Sequence, residues 1–304
     1  MSVVAGNPAV PLKGGVSIIE KYKMTQLDLT NVGQLKPESS WAPAELRGIR
    51  SRLDEYYRSV SDYTAFLAPS EQDHCWTHIG TEIRSRLAGA SQELKVLEIG
   101  AGKSGFGLWL DHQGLRHSVC WSAQDVTQQN AAWLKEQANN FIIGDVNNID
   151  DKDCYDMIFS TYVLEHIAEP SNHLSRLFEL LHNGGSLFIF SPRYDFPGYL
   201  CPSSRHLKVM EKFKIFLAQQ VCRIKSMAMK QPSFLIQSDL AAFHGPFFTD
   251  ADAVHWVSLF DLRYWARGLN ANFKKLKIGS PRFATRDWIV KRWLTCAVEI
   301  RKGV

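Results

Sequence analysis

The chain has no run of about 20 apolar residues, so no membrane-spanning helix is expected. Its six cysteines (Cys75, Cys120, Cys154, Cys201, Cys222, Cys296) form no C-x-x-C pair and follow no regular spacing. That excludes a disulfide framework or a cysteine zinc module and reads as reduced, mostly buried thiols. No low-complexity tract and no internal repeat is present. Charge of one sign is also scarce. With 35 Lys and Arg against 31 Asp and Glu, the net charge of +4 lacks the strongly basic face expected of a nucleic-acid binder. The opening residues, Met-Ser-Val-Val-Ala-Gly-Asn-Pro, lack the basic start and apolar core of a secretory signal. The expectation is a cytoplasmic protein, with peripheral membrane contact left open.

What is present is an ordinary globular composition, 45% hydrophobic and 22% charged over 304 residues, enough for one large elaborated domain. Three regions separate by pattern. Residues 1–94 hold a Gly/Pro-containing arm and two predicted helices, over 43–63 and 71–87, read as a helical N-terminal cap. Residues 95–304 form the main domain. Within it, 95–192 alternate strands (95–99, 117–121, 141–143, 155–160, 186–190) with helices (105–112, 127–138, 171–181), Ser171 serving as N-cap of the last. Such alternation predicts an α/β fold with a mainly parallel sheet, helices on both faces and ligands at the carboxyl ends of the strands. The alternation lapses over 193–254, a stretch too long for a plain connection and read as a mainly helical acceptor lid. It resumes with a helix at 259–267, framed by Ser258 and Asp261 and closed by Gly268. Segments 273–278 and 292–301 complete the sheet as a hairpin-like edge.

Residues 95–107 read Lys-Val-Leu-Glu-Ile-Gly-Ala-Gly-Lys-Ser-Gly-Phe-Gly: a strand, an acid, then a glycine turn that brings backbone close to a ligand. The G-x-G-x-x-G spacing alone does not separate a dinucleotide from another nucleoside cofactor. Glu98 does. Its carboxylate beside the turn would repel a pyrophosphate and attract an ammonium or sulfonium, which points to S-adenosylmethionine. Asp125 closes the second strand at the separation expected of a ribose-gripping carboxylate, whose two oxygens suit two hydroxyls. Asp145, in Gly144-Asp145-Val146, follows the third strand, where it could accept from an exocyclic amine with Val146 against a base.

The order Val-Leu-Glu-Ile-Gly-Ala-Gly, Asp125, Gly-Asp-Val, Tyr-Asp-Met-Ile-Phe-Ser-Thr-Tyr-Val-Leu-Glu-His and Leu-Leu-His-Asn-Gly-Gly-Ser-Leu-Phe-Ile resembles the class I S-adenosylmethionine-dependent methyltransferases. The closest likeness is to the small-molecule branch with a Glu-His pair after the fourth strand. It covers 92–192 well and 255–301 loosely. Ser104 stands where the family turn has a third glycine, and His182-Asn183 replaces the usual Lys-Pro before Gly184-Gly185. The resemblance implies a Rossmann-like sheet. It further implies that Glu98, Gly100 and Gly102 hold the methionine end, Asp125 the ribose, and Asp145 with Val146 the adenine, while Ser160 and Thr161 line the sulfonium side. The reaction implied is methyl transfer to an acceptor held behind the methyl carbon.

His166, just past the fourth strand, is the candidate general base, since imidazole titrates near neutrality. His255 is its rival, and His244 another; each is equally readable as structural. His74 and His78 stand one helical turn apart, but with no second ligand cluster visible no metal is expected. Ser191-Pro192-Arg193-Tyr194 resembles the tetrapeptide of amino-methylating nucleic-acid enzymes but follows the wrong strand. Between 205 and 230, Arg205, Lys208, Lys212, Lys214, Arg223, Lys225 and Lys230 face a single acid, Glu211. An apolar stripe (Val209, Phe213, Phe216, Leu217, Val221, Ile224) runs through the same segment. It reads either as a basic-surfaced helix packed on the domain or as a lid for a phosphate-bearing, lipid-linked or membrane-borne acceptor. O-methylation of a hydroxylated small molecule or glycan leads and N-methylation follows, with nucleic acid disfavoured. A nicotinamide-dependent oxidoreductase and a non-catalytic interaction protein of the same fold are the rivals from other classes. The oligomeric state is not readable.

Overall fold

The computed structural model describes residues 35–59, 69–89, 92–150, 152–244, 249–278 and 292–303. Most of the N-terminal arm and the end of the first predicted helix lie outside them. Ten strands are described: β1 (Leu35–Pro37), β2 (Leu94–Ile99), β3 (Val119–Asp125), β4 (Asn140–Ile143), β5 (Tyr155–Thr161), β6 (Leu181–Pro192), β7 (Leu235–Gln237), β8 (His255–Trp256), β9 (Asn272–Lys275) and β10 (Thr295–Arg301). The α-helices are α1 (Pro43–Ser59), α2 (Pro69–Leu87), α3 (Phe106–His112), α4 (Ala131–Gln137), α5 (Pro170–Leu180), α6 (Val209–Met229) and α7 (Leu259–Gly268).

Seven strands make the central sheet in the order β4-β3-β2-β5-β6-β10-β9. The first five run parallel, while β10 is antiparallel to both β6 and β9. This is the Rossmann-like sheet the motifs implied, with helices on both faces. The central strands are apolar on both sides, as a doubly covered parallel sheet requires. Val96, Trp121, Phe159 and Phe188 point to one face, under α2 and α3, where Trp76, Phe106 and Trp109 pack edge-on and stacked. Leu97, Ile99, Ile158 and Ile189 point to the other, under Leu174 and Leu177 of α5 and Leu262 and Trp265 of α7.

The two N-terminal helices part company in their packing. The second, α2, is a member of the sheet's helical layer. The first, α1, sets Leu46, Ile49 and Leu53 against Ile236, Leu240 and Val254 of the insertion and Ala168 after β5. A small second sheet, β1-β7-β8, ties the chain before α1 to the insertion. Three residues of strand separated from their partner by most of the chain carry no periodic signal, and the sequence reading did not contain them.

Several local expectations shift. The helix over 170–180 starts at Pro170, which fits the first helical position because its absent N–H is not needed there. Ser171 is therefore not its N-cap. The Ser171 N–H and hydroxyl both donate to Glu38, so the helix start is served by a carboxylate from far upstream. Ser258 does cap α7, accepting from the Phe260 and Asp261 N–H groups. Asp261 instead accepts from the Ser233 and Phe234 N–H groups at 3.0 and 3.2 Å, anchoring the end of the insertion. Asn270, not Gly268, takes the left-handed conformation, at φ +53°. The second strand begins at Val119 and the helix after it at Ala131, each behind a short 3-10 turn.

The largest revision concerns α6. Its predicted apolar stripe does not face the domain: Phe213, Leu217, Val221 and Ile224 are all exposed, Ile224 by 62%. The side turned inward is carried by Ile215, Gln219 and Ser226. Arg223, read as a surface cation, turns in and donates to the Tyr194 carbonyl at 2.5 Å.

Candidate active site

The strand ends converge as parallel-sheet topology demands, and the glycine turn after β2 is the hub. Gly100 and Gly102 both hold positive φ, +62° and +56°. At Gly100 the space is closed as well, since a Cβ there would stand 2.5 Å from a Val163 methyl of the loop after β5. Gln124, absent from the sequence expectations, knits three loops together. Its side-chain carbonyl accepts from the Gly100 N–H at 3.1 Å, and its amide donates to the Gly144 carbonyl at 2.5 Å. A buried amide at a strand end satisfies loop backbone in this way, but nothing in the pattern of β3 marks it.

Glu98 is buried at the base of the turn. One carboxylate oxygen accepts from the Ser104 hydroxyl at 2.9 Å, and the Trp121 indole N–H also stabilises the carboxylate. Burial pushes its pKa up to about 8, against the hydrogen bonds from Ser104 and Trp121. Ser104, where the family turn has glycine, thus supplies the acid's hydroxyl donor and also accepts from the Phe106 N–H at the start of α3. A buried acid beside a glycine turn fits a cationic ligand group.

Asp125 and Asp145 sit at the strand ends where they were expected, but both are engaged by the protein. Asp125 accepts from the Gly102 N–H (2.7 Å), the Thr127 N–H (2.8 Å), the Thr127 hydroxyl (3.1 Å) and the Asn130 amide (3.2 Å). Those donors fill the roughly four acceptor sites of a carboxylate, so gripping a diol requires Asp125 to exchange some of them. Asp145 accepts from the Asn147 N–H at 2.7 Å and is ion-paired with Arg50 of α1. Val146 is buried in the core beneath the sheet. Ser160 and Thr161 end β5, both buried, the Thr161 hydroxyl without a hydrogen-bond partner. Tyr162 follows at φ +57°, a strained conformation for a bulky residue.

His166 closes a 3-10 turn, Leu164–His166, and is surrounded by acids. Its Nδ1 lies 3.2 Å from Asp252 Oδ2, which also accepts from the Tyr57 hydroxyl at 2.8 Å. Its Nε2 lies 4.0 Å from Glu165. Glu165 is fully buried and accepts from the Ser191 hydroxyl at 2.9 Å, and Asp250 accepts from the Tyr194 hydroxyl at 3.1 Å. Burial alone would pull His166 down, but Asp252, then Glu165 and Asp250, outweigh it and hold the imidazole protonated up to about 10. Asp252 is held low by the same pair, while burial raises Glu165 and Asp250. The resting group is an imidazolium–carboxylate pair.

His255 is buried with no exposed surface. Its Nδ1 donates to the Leu164 carbonyl at 3.0 Å, and burial pulls its pKa down to about 4. It buttresses the turn that carries His166 as a neutral ring. His244 lies elsewhere, against Asp239. His78 meets the Lys277 carbonyl at 3.1 Å. Among the described residues, two groups converge closely enough for a cation: Glu165, His166 and Asp250, and His206, Asp239 and His244. Asp250 and Asp252 escaped the sequence reading because nothing in a loop acid announces a histidine so far upstream.

Residues 97–189 match a family model described as a methyltransferase domain. The ubiquinone biosynthesis O-methyltransferase, mitochondrial, of Dictyostelium discoideum is 27% identical over 173 residues, 55% of this chain and 50% of the relative. The chain thus spans about half the length of that curated relative. Among solved structures, the 1,6-didemethyltoxoflavin-N1-methyltransferase of Burkholderia thailandensis aligns at 14% identity and TM-score 0.49, covering 92% of this chain and 99% of the other. The plantazolicin methyltransferase BpumL aligns at 13% and 0.48, covering 88% and 94%. The glycine turn, the strand-end acids and His166 all fall within the stretch that matches the methyltransferase-domain model, folded as the core of a Rossmann-like sheet.

Proposed function

We propose that this protein is an S-adenosylmethionine-dependent methyltransferase of the small-molecule branch with a Glu-His pair after the fourth strand, acting on a hydroxyl acceptor. The observation that carries this is Glu98, a buried acid beside the Gly100–Gly102 turn inside the methyltransferase-domain match. Glu98 and the turn backbone would hold the aminocarboxylate end, Asp125 the ribose, Asp145 and the backbone at Val146 the adenine, and Ser160 and Thr161 the neighbourhood of the sulfur. Bound there, the cofactor supplies a methyl group on an already activated sulfonium. The chain's own task is to orient the acceptor, exclude water and hold the acceptor's proton. His166, paired with Asp252, takes that proton once it has lost its own, and His255 positions the turn. Calorimetry with S-adenosylmethionine and with NAD tests the assignment. Binding of the first and none of the second is expected; the reverse would turn the reading to an oxidoreductase.

The acids around His166 favour a second reading, N-methylation, because Glu165, Asp250 and Asp252 would attract an amine. Residues 1–94 are proposed as an N-terminal cap and 193–254 as the lid over the acceptor, a hydroxylated small molecule or glycan, phosphate-bearing or lipid-linked. The exposed face of α6 supports a lipid-linked acceptor met at an anionic membrane surface. No helix among the described residues is long and apolar enough to cross a membrane. An interfacial helix needs only a protruding apolar ridge flanked by cations, which Phe213, Leu217, Val221 and Ile224 provide beside Lys208, Lys214 and Lys225. Anionic lipid adds about 1 kcal/mol per cation near the surface. Phe213→Asp is expected to lower co-sedimentation with phosphatidylserine-containing vesicles at least tenfold with an unchanged melting temperature, the side chain being exposed. Added salt should weaken wild-type binding. Unchanged co-sedimentation, or none by the wild type at low salt, would remove the membrane from the proposal.

A further inference from the structure

We infer that the insertion carries a divalent metal site of the zinc class, built from His206, Asp239 and His244. The residues come from two segments: His206 from the turn before α6, and Asp239 and His244 from the loop after β7 and the end of its short turn Ala241–Phe243. Their ligand atoms all lie within 4.8 Å of one another. His206 Nε2 stands 3.0 Å from one oxygen of Asp239, and His244 Nε2 contacts the other. Arg52 donates to the Ser238 carbonyl and lies over the Phe243 ring, its charge also acting on Asp239, while the two Asp239 oxygens face the imidazoles.

His206 Nδ1 lies 3.0 Å from the Ser203 carbonyl, which can only accept, so Nδ1 carries a hydrogen and Nε2, the atom facing Asp239, is the ring's ligand atom. The rings lie face to face, with centroids 4.3 Å apart and planes 16° from parallel. A single dication where the three groups meet would take one ligand atom from each, the two Nε2 atoms and an Asp239 oxygen. The carbonyl-fixed Nδ1–H is also how proteins orient metal-ligating histidines.

Two imidazoles and one carboxylate suit zinc better than magnesium or calcium, which prefer all-oxygen shells. Ligand atoms on tetrahedral zinc stand about 3.3 Å apart, a spacing this cluster reaches with small side-chain movements. Three protein ligands leave a fourth position, on the side of exposed His244, for water. The metal would staple the insertion together. It would also steady the acidic wall beside His166, since the Ala242 N–H donates to the Ala251 carbonyl between Asp250 and Asp252 at 2.9 Å.

The test uses the full-length protein stripped with a chelator and titrated with zinc against a competing dye, then with cobalt(II) as a spectroscopic probe. A single tight equivalent, a tetrahedral cobalt spectrum and a rise in melting temperature with zinc are expected in the wild type. His244→Ala, at an exposed position that should not disturb folding, is expected to weaken binding at least tenfold, and Asp239→Asn likewise. Failure of the wild type to bind zinc would overturn the site. So would unchanged affinity in both variants, which would place the metal elsewhere, and so would a cobalt spectrum insensitive to His244→Ala.

Discussion

Replacing His166 with alanine is expected to lower turnover about a hundredfold or more while leaving S-adenosylmethionine affinity within a few-fold of wild type, if His166 takes the acceptor's proton. The surroundings of the ring add a sharper expectation. With its pKa held up to about 10, the imidazole is free to accept a proton only in a small fraction of molecules at neutral pH. Wild-type turnover should therefore climb with pH through the alkaline range. Asp252 is the first of the acids that hold the proton in place, so Asp252→Asn should bring the ring back toward the ordinary value of about 6.5 and move the rising limb of the pH–rate profile to lower pH. The ring also becomes a weaker base, so the maximal rate should fall. A His166→Ala enzyme with unchanged turnover would end the role, as would an Asp252→Asn profile superimposable on wild type.

Glu98 should make cofactor binding pH-dependent. In the free protein the buried acid titrates at about 8 and is mostly neutral at pH 7. A bound cationic group lowers that value, so binding releases a proton. Affinity should then increase as pH rises from about 6, by up to about 1.4 kcal/mol per pH unit, and level off above about 8. Glu98→Gln has no proton to release. Comparing its pH slope with wild type by calorimetry cancels titration of the cofactor itself, and equal slopes in both proteins would separate Glu98 from the bound cation. Asp125→Ala is a blunter probe. It would weaken binding, but it also frees the Gly102 N–H and the Thr127 and Asn130 donors, so its loss would mix loop disorder with lost contact.

The sequence by itself determined the central sheet and the line of its ligand-facing edge. Val-Leu-Glu-Ile-Gly-Ala-Gly specifies strand, acid and turn within a few residues, and the alternation from 95 to 192 leaves a parallel sheet as the economical solution. These are local signals, written in spacing and in the conformational freedom of Gly100 and Gly102. Only the tertiary structure decided what those residues touch. The Ser171 cap was misread because the group serving that helix start, Glu38, is distant in sequence. The stripe on α6 was periodic and correctly found, but periodicity shows that a face exists and not which way it turns. His166 was legible as a histidine after a strand; that it rests as an imidazolium depends on Asp250 and Asp252, delivered by the return of the insertion. His206 stands far from Asp239 and His244 in the chain, and folding alone brings their ligand atoms within 4.8 Å of one another. Backbone pattern is encoded nearby in the chain, whereas protonation and coordination depend on which distant side chains folding brings within a few ångströms.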